Sequence, residues 1–222
     1  MTRGPRPGAQ GGSLVSHTKI VHSKEPIRLF KSDFLEFFTH IHPAVVLVIW
    51  LPITGYFLYR ATLSPGLALR LVLGIPSGLF LWTLVEYVVH RFVFHFPPHT
   101  PRQERISFLF HGVHHAQPME KSRLVMPPVV SIPLAAICYA VLYVTVGIVA
   151  GARAWVSPVF AGLLLGYVTY DMTHYATHHF KIRWRVFQYI RRYHLHHHTQ
   201  TPNQRFGVTS PLWDIVFGTK PD

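Results

Sequence analysis

The chain has 222 residues, of which 49% are hydrophobic, 14% aromatic and only 14% charged, against roughly 25% charged in soluble domains. Lys and Arg number 21 against nine acids, but these charges are too few and too divided between apolar blocks to make a phosphate-tracking nucleic-acid surface. A single cysteine, Cys138, excludes a disulfide framework and a cysteine-ligated iron–sulfur cluster, and no Gly-rich dinucleotide fingerprint or Walker motif is present.

Residues 1–24 are rich in Gly, Pro, Ser and Arg and lack the apolar core of a signal peptide. They are expected to be a disordered basic tail, with residues 25–222 forming one membrane domain. The stretch RLFKSDFLEFFTHI sets Phe30, Phe34, Phe37, Phe38 and Ile41 at helical spacing between basic flanks. It predicts an amphipathic interfacial helix over about 28–41. Four apolar runs follow, at about 43–59, 67–89, 129–150 and 155–172, against the roughly 17–25 residues that cross a bilayer core. The third carries no charge and contains Cys138, which reads as a small core or lipid-facing side chain. The second holds Arg70 and Glu86 and the fourth Asp171, while the first and fourth are also short enough to be shallow or re-entrant. Pro52, Pro76 and Pro158 are tolerated in such helices. With four spans, 18 of the 21 Lys and Arg fall on one side, so both termini and the segment 91–128 are expected in the cytoplasm. The expected fold is all-α: an integral membrane protein of about four transmembrane helices under a cytoplasmic, histidine-rich helical cap.

The chain has 17 histidines, and their spacing is more informative than their number. Residues three and four apart share a helix face. HxxHH occurs twice, as His111/His114/His115 and as His194/His197/His198, and HYATHH supplies His174 and His178 as an i, i+4 pair. In HRFVFH, His90 and His95 are five apart, about 140° round an ideal helix, so they meet only if the helix ends or bends near His90. All four clusters fall on the expected cytoplasmic side. Ten imidazoles exceed what one ion uses, which predicts two metals, each HxxHH straddling both. One ion would take His90, His95, His111, His115 and His197, and the other His114, His174, His178, His194 and His198.

Imidazole suits iron, zinc and copper alike. Glu86, four residues before His90, and Asp171, three before His174, are spaced to orient a ligand ring, or else to snorkel or pair with Arg. His179 and His196 lie beside ligands but off the shared face, suiting a supporting or surface role. His17, His22, His40, His42 and His99 read as surface or interfacial.

EYVVHRFVFH, HGVHHAQPMEKSRLVMPP, YDMTHYATHH, YHLHHH and FGVTSPLWDIVFGT together resemble the fatty acid 2-hydroxylase branch of the membrane-bound fatty acid hydroxylase and sterol desaturase superfamily. The likeness runs over some 190 residues, from PIRLFKSDFLEFF to DIVFGT. The histidine boxes mark the superfamily, and RLVMPP and GVTSPLWD narrow it to the acyl 2-hydroxylases. The resemblance implies a four-span oxidoreductase with two cytoplasmic Fe ions, replaceable by zinc in isolated protein, that inserts one atom of O₂ at C2 of a fatty acid or acyl lipid, sphingolipids included. It implies an acyl slot among the spans near Phe80, Trp82 and Tyr139, with His179, Tyr170, Asp171 or Arg123 available for the carboxyl end.

Many eukaryotic members carry an N-terminal cytochrome b5 domain, which the 40 residues before the first span cannot house. Electrons are therefore expected from a separate ferredoxin or cytochrome b5 type donor and its reductase. The basic stretch Lys181–Arg192 is suited to dock that donor or anionic lipid headgroups, and a bacterial inner membrane is the expected location. Other uses of the same boxes are a sterol, carotenoid or other lipid hydroxylase or desaturase. A metal transporter or buffer would be a different class, but it would need ligands along the spans, where this sequence has no histidine.

Overall fold

The computed structural model describes residue 20, residues 25–64 and residues 66–221. The basic tail expected over 1–24, with His17 and His22, lies outside the described residues except at Ile20. Among the described residues the regular structure is all helical, with no strand. In chain order the helices are α1 (Asp33–Phe37), α2 (Pro43–Thr62), α3 (Leu67–Val88), α4 (Pro101–Ser107), α5 (Val113–Ala116), α6 (Pro128–Leu142), α7 (Arg153–His179), α8 (Arg185–Thr199) and α9 (Leu212–Val216). Wide π-helical turns extend α3 (Val89–Phe94), α4 (Phe108–Gly112) and α6 (Tyr143–Val149).

Three stretches are long and apolar enough to cross a membrane: Pro43–Thr62, Leu67–Phe94 and Lys121–Val149. Their outward side chains, such as Val48, Val72, Ile137 and Val141, are exposed aliphatics, as a bilayer requires. The expected fourth span, 155–172, lies within α7, which does not reach the same apolarity. The reason is position. α7 packs against α2 and α3 and buries Leu163, Leu164, Gly166, Tyr167 and Asp171 against protein. A helix sheltered in this way can spend positions on glycine, tyrosine and aspartate that a lipid-facing helix cannot.

The α3–α7 contact sets the geometry of everything attached to it. A Cβ on Gly78 would meet the carbonyl oxygen of Val159 at 1.9 Å, and one on Gly162 that of Ile75 at 2.2 Å. The two backbones therefore touch, as small residues allow in membrane helix pairs. Towards the histidine end, Trp82 sits over Gly166 and packs its ring on Tyr167 and Tyr170, with centroids 5.3 and 5.8 Å away.

The expected interfacial helix is shorter than 28–41: only Asp33–Phe37 is helical. The Glu36 carboxylate accepts hydrogen bonds from the backbone N–H groups of Leu29 and Phe30, at 2.9 and 2.8 Å. This folds the chain back where the periodicity alone would extend the helix. Phe34 and Phe37 remain more than two-thirds exposed, at 71% and 72%. Glu36 also pairs with Arg123 at 2.5 Å, and Arg123 reaches the carbonyl of Ile27 and the Nε2 of His40. The Nδ1 of His40 lies 2.6 Å from the Ser122 hydroxyl. His40 is thus part of a staple between the N-terminal segment and residues 120–123, rather than a free surface residue. His42 caps α2 by accepting from the N–H of Ala44, and His99 is exposed.

Candidate metal centre

The α3 helix does not end before His95, as the i, i+5 spacing would otherwise require; it widens. In the turn Val89–Phe94 the N–H of His95 donates to the carbonyl of His90 at 3.1 Å, and this i to i+5 bond stacks the two residues on one face. π-turns of this kind concentrate at functional sites. A second π-turn carries His111, and α5 continues from it with His114 and His115. α7 supplies His174 and His178 one turn apart, and α8 supplies His194, His197 and His198.

These ten rings meet in two groups: His90, His95, His111, His115 and His197; and His114, His174, His178, His194 and His198. Within each group the inward nitrogens all lie within 4.8 Å of one another. This is the same five-and-five division that the spacing argument drew. In the first group the Nε2 atoms of His90 and His111 lie 3.0 Å apart, and those of His95 and His197 3.1 Å. In the second, His174 and His114 are 3.0 Å apart, and His194 lies 2.9 Å from His178 and 3.0 Å from His198. The groups adjoin, with the rings of His115 and His198 4.2 Å apart.

The donor set fits a transition metal in each group. Two imidazole nitrogens bound at right angles to one ion, each about 2.0–2.1 Å from it, lie about 3 Å apart. The ligand must also be unprotonated. Burial, and after it the neighbouring imidazoles, hold His114, His194 and His198 well below the ordinary histidine pKa. His115 and His197 are lowered by the same causes. The rings are therefore neutral at pH 7 and carry lone pairs.

The supporting residues differ from expectation. Glu86 does not reach His90. Its carboxylate accepts from the N–H groups of Val208 and Thr209 and from the Thr209 hydroxyl, and the Nδ1 of His90 goes to the carbonyl of Phe206 at 2.5 Å. Asp171 does not hold His174 but accepts from the backbone N–H of Met126, at 3.2 and 3.3 Å to its two oxygens. Both carboxylates are buried, so nearby backbone donors claim them first. His179 is half-buried with its ring against Tyr175, and His196 is half-buried in α8, outside both groups. Asp214, which the sequence reading passed over, is fully buried and accepts from the N–H groups of Phe206 and Gly207. Its signal in the sequence was a lone aspartate in the otherwise apolar PLWDIVFG.

The expected acyl slot needs revision as well. Phe80 faces outward and packs on Trp213 of α9. Tyr139 packs against Phe57 and Phe160. Trp82 lines a small apolar void of about 10 Å³. Of the groups expected at the carboxyl end, Arg123 is spent on the Glu36 staple and Asp171 on Met126, while Tyr170 is buried with its ring stacked on His174. The opening that reaches the imidazoles is a cleft of about 1080 Å³. His95, His111, His115 and His198 line it, Phe94 and Phe108 are among its apolar walls, and Arg105 and Gln200 add polar groups.

The sequence profile of the fatty acid hydroxylase family matches residues 75–219, which span all ten of these histidines. The chain belongs to the fatty acid hydroxylase family. Membership makes it a membrane-bound oxidoreductase, in keeping with its apolar helices. It is similar to the dihydroceramide fatty acyl 2-hydroxylase FAH1 of Arabidopsis thaliana, 41% identical over 202 residues that cover 90% of this chain and 83% of the relative. It is 38% identical to the ceramide very long chain fatty acid hydroxylase scs7 of Schizosaccharomyces pombe over 85% of this chain and 53% of that one. The human fatty acid 2-hydroxylase is 34% identical over 87% of this chain and 56% of that one. Against these longer relatives the chain spans about half their length. Among solved structures it matches full-length scs7p, in which only the hydroxylase domain is visible, with a TM-score of 0.78 and 39% identity over 86% of this chain and 70% of that one.

Proposed function

We propose that this hydroxylase is a di-iron monooxygenase acting at C2 of a fatty acyl chain, with one ion in each group of five imidazoles. The observation that carries the reading is the gathering of ten rings, nine buried and His95 half-buried, into two adjoining sets of inward nitrogens. When bound, the two iron ions would supply the activation of O₂ and the transfer of one oxygen atom to the substrate; zinc would occupy the same nitrogens without that redox chemistry.

The protein's own groups account for the rest. Neutral, buried imidazoles hold cations without competing protons and admit little water. No carboxylate enters either set, so the charge of the bound cations stays high. The cleft bordered by His95, His111, His115 and His198 receives the acyl lipid, with apolar walls for the chain and Arg105 and Gln200 for the polar end. The names of the relatives favour a ceramide-type lipid or a fatty acid as substrate. Electrons come from a ferredoxin or cytochrome b5 type donor with its reductase. Both termini and the histidine cap face the cytoplasm, on the strength of the Lys and Arg distribution. The relatives named here are plant, fungal and mammalian and lend no support to a bacterial membrane.

Lipid mass spectrometry of cells expressing the chain, grown with iron, tests the proposal. The wild type should add 2-hydroxy acyl lipids and His197→Ala should not. An unchanged lipid profile with well-expressed, iron-loaded wild type would refute it.

A further inference from the structure

We infer that the C-terminal loop of residues 204–209 is a working part of the first histidine group, and that Glu86 and Asp214 are positioning residues that hold it there. The inference rests on the reading of that group as a metal site. The loop presents two carbonyl oxygens to two rings: Phe206 accepts from the Nδ1 of His90 at 2.5 Å, and Gln204 accepts from the Nδ1 of His197 at 2.7 Å. A carbonyl can only accept, so each contact fixes the proton on Nδ1 and leaves the Nε2 lone pair turned inward. These Nε2 atoms are the ones that lie 3.0 Å from His111 and 3.1 Å from His95.

The N–H of Arg205, in the peptide unit of the Gln204 carbonyl, donates to the carbonyl of Thr219 at 3.0 Å, and a pair of buried carboxylates holds the amides that follow. Asp214 accepts from the N–H groups of Phe206 and Gly207, both at 2.8 Å. Glu86 accepts from those of Val208 and Thr209, at 2.6 and 2.8 Å, and from the Thr209 hydroxyl at 2.6 Å. Four successive amides are thus drawn to carboxylates. Glu86 and His90, one turn apart on α3 and its extension, grip the same loop. Burying a carboxylate is costly unless its oxygens are satisfied, and the loop satisfies both. The loop is also held under constraint. Arg205 adopts φ +60°, where a side chain is disfavoured, and a Cβ on Gly207 would meet the Ser210 carbonyl oxygen at 2.0 Å.

The second group has no such frame. The outer nitrogens of His114, His178, His194 and His198 are buried without a protein hydrogen bond, and His174 has only the Leu124 carbonyl beside it. Loss of the carboxylates should therefore weaken one metal site and spare the other.

The test uses the full chain, purified in detergent and loaded anaerobically with Fe(II). Metal per chain is measured by mass spectrometry and affinities by competition with a chelator. Wild type should hold two ions. Asp214→Asn should weaken one of them about ten- to a hundredfold, the usual effect of losing a ligand's outer partner, and leave the other unchanged. Glu86→Gln should do the same to a smaller degree. In a His178→Ala background, which removes the second group's ion, Asp214→Asn should leave no tightly held metal. Thr209→Val takes only one donor from Glu86, so it decides the matter if the carboxylate variants do not fold: a few-fold weakening confined to the first site supports the inference. Two ions of unchanged affinity in these variants, or equal weakening of both sites, would overturn it while leaving the two-metal reading intact. Fewer than two ions in the wild type would bring down that reading and this inference with it.

Discussion

The two histidine groups hold the same number of rings but are built differently. The second draws four of its five rings from long regular helices, with His174 and His178 one turn apart on α7 and His194 and His198 one turn apart on α8, and takes only His114 from the short α5. The first depends on departures from regular helix: a π-turn stacks His90 with His95, another presents His111, and a C-terminal loop orients His90 and His197. A group carried on rigid helices needs only those helices to pack correctly. A group assembled from turns and a loop needs its surroundings to hold them in place, and here the loop's amides are held by the carboxylates of Asp214 and Glu86.

The most severe way to break the comparison is at the centre of the second group. His194→Ala removes the nitrogen that lies 2.9 and 3.0 Å from two others. Hydroxylation should fall at least about a hundredfold, read as lost 2-hydroxy acyl lipid, with one ion retained in the first group. Activity within a few-fold of wild type would mean the second group is dispensable.

Next in size is the contact on which both groups depend. Gly162→Val forces a side chain against the Ile75 backbone and should cost about 3 kcal/mol, measured by thermal unfolding in detergent. Both ions should weaken together, unlike the one-sided loss expected from the carboxylates. Gly55→Ala has nothing within 4 Å of the new Cβ and should be close to neutral.

Acid should act on both groups at once. Buried His114, His194 and His197 titrate well below the ordinary histidine value, whereas in the unfolded chain they take protons near pH 6.5. Below about pH 6.5 the unfolded state binds more protons than the folded one, so stability falls as pH falls and is unaffected above that point. The unfolding midpoint of metal-free protein should drop between about pH 7 and pH 5; a flat profile would mean the rings are not buried and neutral. The smallest effect belongs to His196→Ala. It lies outside both groups, and stability should change by no more than about 0.5 kcal/mol, with metal content unaltered.

The gathering of rings was legible because i, i+3 and i+4 spacing is a local property of helices, and each HxxHH divides between two neighbours by simple rotation. The five-residue gap between His90 and His95 was legible only as a difficulty. A π-turn resolves it, and nothing in HRFVFH announces one. The partners of Glu86 and Asp171 are not legible in the sequence for a related reason. Spacing places a carboxylate near a ring on its own helix, but cannot reveal that a backbone amide from Val208 or Met126 arrives closer. That α7 packs against α2 and α3 is not legible in its composition, because an apolar run does not distinguish burial in protein from burial in lipid.

By itself the sequence determined a helical membrane protein with its imidazoles at one end, since hydropathy and helical periodicity are written in adjacent residues. Which carbonyl orients which ring, where the cleft opens and how α1 is cut short were decided only in the tertiary structure. Each depends on groups far apart in the chain, as Glu86 and Val208 are by 122 residues, and no local pattern encodes their meeting.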